Sequence, residues 1–277
     1  MSARRIRATL LAAGLLVALG LPGVARAAEE CFIVTELKTG RVAAKQGLCA
    51  ARHSPVETFD IPLALLGFEA GFLRNEKEPV VNPPEPVAGS APPSGAAAAP
   101  QTPQGWVRHQ VDWYGAAVAR AVGRERLAAA LHAFLYGNEN LSGDPGTPDA
   151  FARSWLSSSL AISPREQVDF LRKMLNGELP VPADAVGRTA ALLRQPETPA
   201  GYDLYGVSGT GHLRLADAAL DRSRPLGWFV GWAEKEGRTF VFVRFMSLDI
   251  PADEPLGARA RRQTLGALAP VLQAQDR

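Results

Sequence analysis

The stretch Pro55-Val56-Glu57-Thr58-Phe59-Asp60-Ile61-Pro62-Leu63-Ala64-Leu65-Leu66-Gly67-Phe68-Glu69-Ala70-Gly71 decides the reading of this chain. Its apolar residues recur with the spacing of a mostly buried helix over Thr58–Leu73, and Pro62 falls in the first turns, where a missing N–H costs little. Such a helix opens on two acids, Glu57 and Asp60. Their i, i+3 spacing puts both on one helix face. An acid near a helix N-terminus gains roughly 0.3 to 1 kcal/mol from the helix dipole whatever else it does. Burial of a second acid one turn later has no such simple reason.

Outward from that helix, the chain begins with Arg4, Arg5 and Arg7, an apolar run from Leu10 to Leu19, and Ala25-Arg26-Ala27. These are the three regions of a bacterial export signal, with cleavage expected after Ala27, and the run is too short for a dependable membrane span. Arg7 and Ala8 follow the paired arginines where a twin-arginine signal wants bulky apolar residues, so the general secretory route is expected. Removing residues 1–27 takes four arginines and no acid, leaving 26 basic against 28 acidic side chains. The basicity of the whole chain therefore belongs to the leader, and nothing points to nucleic acid. A periplasmic or secreted protein with no stable span after cleavage is expected, and its remaining length of about 250 residues suits one substantial core.

Cys31 and Cys49 are the two cysteines. Phe32–Thr35 and Arg41–Ala44 read as strands around a turn at Lys38-Thr39-Gly40, a register that sets Cys31 opposite Leu48, one residue from Cys49. A disulfide is therefore expected in an export compartment, contributing roughly 3 kcal/mol by the chain-entropy estimate.

Residues 79–105 are rich in proline and alanine and read as an extended or disordered insertion with no core of its own. Order resumes at Trp106. Helices are expected at Val111–Val122, Arg124–Phe134, from the capping box Ser163-Pro164-Arg165-Glu166 to about Leu175, and at Ala183–Leu193. Strands follow at Tyr202–Ser208, Gly227–Lys235 and Arg238–Leu248, the last two joined at Glu236-Gly237. A helix at about Gly257–Gln273 closes the chain. Helices in the middle with an antiparallel sheet assembled from both ends make an α+β fold, a single domain over residues 28–277.

Several of these segments, taken in order, resemble the class D (oxacillinase-type) serine β-lactamases, of the penicillin-recognising transpeptidase fold. The family reads Ser-Thr-Phe-Lys where this chain has Glu57-Thr58-Phe59-Asp60. Tyr136-Gly137-Asn138 with Glu139-Asn140-Leu141-Ser142-Gly143 is similar to the family's Tyr-Gly-Asn motif. Trp155-Leu156 and Leu160-Ala161-Ile162-Ser163 are similar to the segment whose tryptophan holds the family's modified lysine. Gln167–Leu171 and Gly227–Trp232 are similar to the next helix and to the strand beside the active site. Together the matches span nearly the whole mature chain.

The resemblance implies an acylated serine at position 57 and a carbamylated lysine base at position 60, and the chain has neither. The family's Ser-x-Val motif falls on Gln110-Val111-Asp112, or one residue earlier on His109-Gln110-Val111, with no serine in either register. Its Lys-Thr-Gly appears as Val207-Ser208-Gly209. Its carboxylate-binding arginine is one of Arg259, Arg261 and Arg262. Tyr136, Gly137, Asn138 and Trp155 are the retained cleft residues. His53, His109, His132 and His212 have no metal-ligand spacing, and Trp155, Trp228 and Trp232 read as core.

The altered cleft thus gathers Glu57, Asp60 and Asp112, whose like charges should raise one another's pKa unless something neutralises them. Three readings follow. The protein is a catalytically inactive pseudoenzyme serving as a binding module; or Glu57, Asp60 and Asp112 hold a divalent cation, with Gln110 adding a carbonyl; or a divergent enzyme retains β-lactam binding or hydrolysis, or uses a raised carboxyl as acid. The first is the expectation carried forward, with its ligand unknown, a β-lactam among the candidates and no cofactor required.

Overall fold

The computed structural model describes residues 29–85, 92–214 and 219–276. The expected leader and its cleavage point lie outside these residues. Five strands form one antiparallel sheet: β1 (Glu30–Glu36), β2 (Val42–Gly47), β3 (Asp203–Arg214), β4 (Leu220–Lys235) and β5 (Arg238–Ser247), in the order β2-β1-β5-β4-β3. The sheet is assembled from both chain ends, as the alternating patterns at each end imply. Among the described residues seven α-helices complete the α+β fold: α1 (Asp60–Glu69), α2 (Pro103–His109), α3 (Asp112–Val122), α4 (Arg124–Phe134), α5 (Pro164–Leu175), α6 (Ala183–Leu193) and α7 (Leu256–Gln275).

Two apolar layers hold the sheet. On one face α7 buries Leu256, Ala260, Leu268 and Leu272 against Phe229, Phe240 and Phe242. On the other, α1 fills the middle of a larger core with Ile61, Leu63, Ala64, Leu65 and Leu66, all at most 1% exposed. A helix buried all round is what the continuous apolar run of this segment demands. It is shorter than Thr58–Leu73, because residues 56–59 wind as a 3-10 turn before it and the chain turns at Gly71, whose φ of +73 glycine takes freely.

The first hairpin forms with Cys31 and Cys49 joined in a disulfide, their Cα atoms 5.2 Å apart. Its register is one residue off the expected one: Cys31 faces Gly47, not Leu48, because the pairing beside the turn, Thr35 with Val42, starts two residues off and the irregularity between Val34 and Thr35 restores only one of them. An irregularity of this kind adds a residue to one strand and carries no sequence mark in a run of small residues.

Two further expectations are corrected. β3 runs six residues past Ser208, to Arg214, and β4 starts at Leu220 ahead of Gly227, so the two make a long ribbon. Within 79–105 the described residues are anchored: Val81 and Gln101 exchange backbone hydrogen bonds, and α2 begins at Pro103 with Thr102 Oγ1 accepting from Gly105 N. Thr102-Pro103 is a helix start hidden in a proline-rich run.

Candidate functional site

Residue 57 sits in the 3-10 turn that leads into α1. Val56, just before it, has φ +46, an unusual value for a β-branched residue. The strained turn is held from outside, by Val56 N donating to Trp155 O at 3.0 Å and Thr58 Oγ1 donating to Pro55 O at 2.6 Å. Glu57, half-buried, then points its carboxyl at the edge of β3, where Thr210 N donates to Glu57 Oε2 at 2.7 Å.

Asp60, the first residue of α1, is 2% exposed. It lies in a cage of indoles. Trp106 hydrogen-bonds it, and a Cβ on Gly115 would stand 3.2 Å from Trp106 Nε1, 3.5 Å from Asp60 Oδ1 and 3.6 Å from Trp155 Cζ2. Gly115 therefore makes the room, and Trp155, the counterpart of the family's lysine-holding tryptophan, stands beside an aspartate. Asp60 Oδ2 and Asp112 Oδ1 are buried with no hydrogen-bond partner.

The electrostatics follow from burial. Asp60 is driven well above the carboxylate range by desolvation, with the charges of Glu57 and Asp112 adding to it. Glu57 is pushed up to about 8 by burial and by Asp112, against the pull of its own N–H and that of Thr210. Asp112 is also raised by burial, opposed by Arg153. All three acids are therefore harder to ionise than an ordinary carboxyl. Among the described residues no three His, Cys, Asp or Glu side chains stand as a group able to hold a metal ion. The divalent-cation expectation for Glu57, Asp60 and Asp112 therefore gains no support from their arrangement.

Gln110 settles which register meets the cleft. It ends α2 in a left-handed conformation, φ 54 and ψ 56, and its Nε2 donates to Ser208 O at 2.5 Å and lies 3.3 Å from Ser208 Oγ. His109 is exposed on the last turn of α2. Gln110 lines two cavities, one of about 680 Å³ with Arg108, Gln195, Val207, Ser208 and Arg261, the other of about 610 Å³ with Asp112, Trp113 and Arg153. It forms a crossbar between them. Val207 is buried at 4% exposure where the family carries its cation. All three candidate arginines are paired, Arg259 and Arg262 with Glu254 and Arg261 with Glu197 at 2.6 Å, and of the three it is Arg261 that lines the larger cavity.

The outer edge of β3 is covered along its length. Gln195 N donates to Leu204 O and Gln195 Nε2 to Gly206 O, both at 2.8 Å; Gln110 covers Ser208 O, Glu57 takes Thr210 N, and Ser157 Oγ takes His212 N at 2.9 Å. At five successive outward residues of an edge strand one backbone group is thus engaged from within.

The retained residues build the wall beside this edge. Tyr136 is fully buried against Phe59 and Phe170. Gly137 has φ +57, and a Cβ there would lie 2.1 Å from Ala161 O. Asn138 Oδ1 accepts from Ala161 N at 2.9 Å and Asn140 N at 3.2 Å, while its Nδ2 donates to Ser159 O at 2.9 Å. Sequence reasoning missed Thr210, Trp106 and Gln195. Thr210 follows Gly209 directly and could have been reached from strand alternation; Gln195 had no signal.

With this geometry in view, comparisons with known proteins are specific. Residues 30–260 match the family described as penicillin binding protein transpeptidase domain. The chain is 37% identical over 244 residues to the β-lactamase OXA-9 of Klebsiella pneumoniae, covering 88% of each, and 28% identical over 245 residues to OXA-1 of Escherichia coli, covering 87% and 84%. Its fold superposes on the class D β-lactamase OXA-427 with a TM-score of 0.81 at 38% identity, covering 88% of this chain and 99% of that one. The chain belongs to the penicillin-binding transpeptidase family, among the class D β-lactamases.

Proposed function

We propose that this protein is an exported pseudoenzyme of the class D β-lactamase family, a binding module that no longer acylates. The observation that carries this reading is the state of position 57: a carboxyl stands where the family's serine stands, and it is tied to Thr210 N at 2.7 Å. Covalent catalysis needs a nucleophile beside a base, and position 60 carries a buried aspartate, which cannot be carbamylated as a lysine can and whose carboxyl burial drives well above the ordinary range. The covered edge of β3 supports the same reading, because its outward groups are already engaged by Gln195, Gln110, Glu57 and Ser157. An export leader over residues 1–27 and the Cys31–Cys49 disulfide together favour a periplasmic or secreted location.

Benzylpenicillin hydrolysis followed by absorbance at high protein concentration tests this reading, with the expected rate equal to the buffer blank. Turnover above the blank that tracks folded protein would overturn it. A second reading, a β-lactam bound without acylation, is favoured by the cavity of about 680 Å³ that places Arg108 and Arg261 near Ser208. Saturable benzylpenicillin binding by calorimetry, lost in Arg261→Ala, is its expected mark.

A further inference from the structure

A further cavity lies away from the cleft floor. It encloses about 270 Å³ between the loop before Pro55, the segment after Trp155, the end of β3 and the start of β4, and none of Glu57, Asp60, Asp112 and Gln110 lines it. Sites for drug-sized molecules run to roughly 300–1,000 Å³, so this one suits a small ion.

Its walls carry Arg52, Arg214, Arg224, His53 and His212 against, among the described residues, a single acid, Glu29, which pairs with His53 Nε2 at 3.0 Å. The three arginines come from the loop, β3 and β4, so only the fold brings them together. Each has an acid partner that stands outside the lining: Glu166 for Arg52, Asp144 for Arg214 and Asp249 for Arg224. What the cavity offers is therefore directed N–H groups more than net charge. The Arg224 side chain is 15% exposed, and among the described residues its one hydrogen bond runs from Nε to Asp249 Oδ1 at 3.0 Å. Both of its NH2 groups are left for an occupant of the cavity. Arg52 spends Nε and Nη2 on the Glu166 carboxylate and keeps Nη1. A guanidinium with its outer N–H groups unspent matches the paired oxygens of an oxyanion.

We propose that this cavity binds a free phosphate ion, held by the NH2 groups of Arg224, with Arg52 and His212 completing the site. Donors on separate walls suit the tetrahedral spread of phosphate oxygens better than the single plane of a carboxylate. Burial, with the charge of Arg222, holds the His212 pKa below its ordinary value, and Asp221 opposes them. An anion in the cavity raises it again, against the arginines and His53 and with Glu29 on the same side as the ion. The site does not depend on whether the cleft acylates.

The test is a sodium phosphate titration of the protein followed by NMR of the His212 ring and the Arg224 Nε–H, with sodium chloride and sodium formate at matched ionic strength as controls. Both signals should move saturably with phosphate and not with chloride, and the His212 pKa should rise. Arg224→Gln should weaken phosphate binding by about tenfold or more, the order of one charge-assisted hydrogen-bonded pair, and Arg224→Lys should weaken it too, because it keeps the charge and loses the fork. No saturable shift in wild type, formate bound as tightly as phosphate, or undiminished affinity in both variants would overturn the proposal. Should the Arg224 variants not fold, Arg52→Ala, at a half-exposed side chain, decides: about threefold weaker binding is expected, and unchanged affinity would refute the site. Sedimentation with phosphatidylglycerol vesicles and not with phosphatidylcholine vesicles would place the phosphate on a lipid headgroup and overturn the free ion as ligand.

Discussion

Two neighbouring parts of the cleft have had opposite fates. The wall made by Gly137 and Asn138 is fitted to its surroundings: Gly137 lies where a Cβ would be 2.1 Å from Ala161 O, and Asn138 ties down Ala161 N, Asn140 N and Ser159 O. The floor, made by Glu57, Asp60 and Asp112, is not. Two of its carboxyl oxygens are buried without partners, and all three acids are raised above their ordinary range. A wall residue is constrained by the backbone it touches, so under the proposed loss of acylation it would persist. A reacting residue is constrained by the reaction, and on the same proposal its place would be open to groups that burial makes harder to ionise.

The largest effect that would break this contrast is at Gly137. Gly137→Ala adds a Cβ at a left-handed position against a carbonyl, and should cost about 3 kcal/mol in urea unfolding. A cost below about 0.5 kcal/mol, the size of an ordinary surface change, would mean that the wall is not as tightly fitted as its geometry indicates.

The floor should behave in the opposite sense. Glu57, with a folded pKa of about 8 against an ordinary 4.5, adds stability that is fully present below the ordinary carboxylate range and is lost as pH rises through about 8. Asp60 acts in the same direction. The urea midpoint of wild type should therefore fall between mildly acidic pH and pH 9. Asp60→Asn, a neutral isostere, should flatten that fall and be more stable than wild type by about 2 kcal/mol at pH 9, the scale of relieving a buried, poorly solvated polar group. A midpoint that rises with pH, or a variant less stable than wild type at pH 9, would remove the contrast.

Smaller effects sharpen it. Asn138→Ala leaves two backbone N–H groups without their acceptor at an exposed site, and a loss of about 1 kcal/mol is expected by thermal unfolding. Gln110→Ala removes the crossbar to Ser208 from a solvent-accessible left-handed position, and should change stability by no more than about 0.5 kcal/mol. Its effect should appear instead as faster hydrogen exchange along the edge of β3.

Much of this was legible from the sequence because periodicity and capping are local. The helices from Asp112 to Leu193, the capping box at Ser163–Glu166 and the α+β arrangement follow from patterns of a few residues. The ordered motifs named the family, and the clustering of Glu57, Asp60 and Asp112 followed from it. The features that escaped are those carried by backbone or by long-range fit. The slip opposite Cys31 arises at the turn, where Thr35 pairs with Val42, and is only partly undone by the irregularity between Val34 and Thr35, while α2 was masked by the prolines around its own N-cap. The Thr210 N–H has no residue signature, since every residue but proline bears one. Selection of Arg261 over Arg259 and Arg262 depends on its place in the wall of the larger cavity, which sequence spacing does not order.

The central claim, that a fitted wall now surrounds a floor unable to form an acyl-enzyme, is tested most directly by intact-mass measurement of the protein after prolonged incubation with benzylpenicillin. The account predicts the unmodified mass at every time point. A covalent increase equal to the mass of the penicillin, mapped to any residue of the cleft, would contradict it.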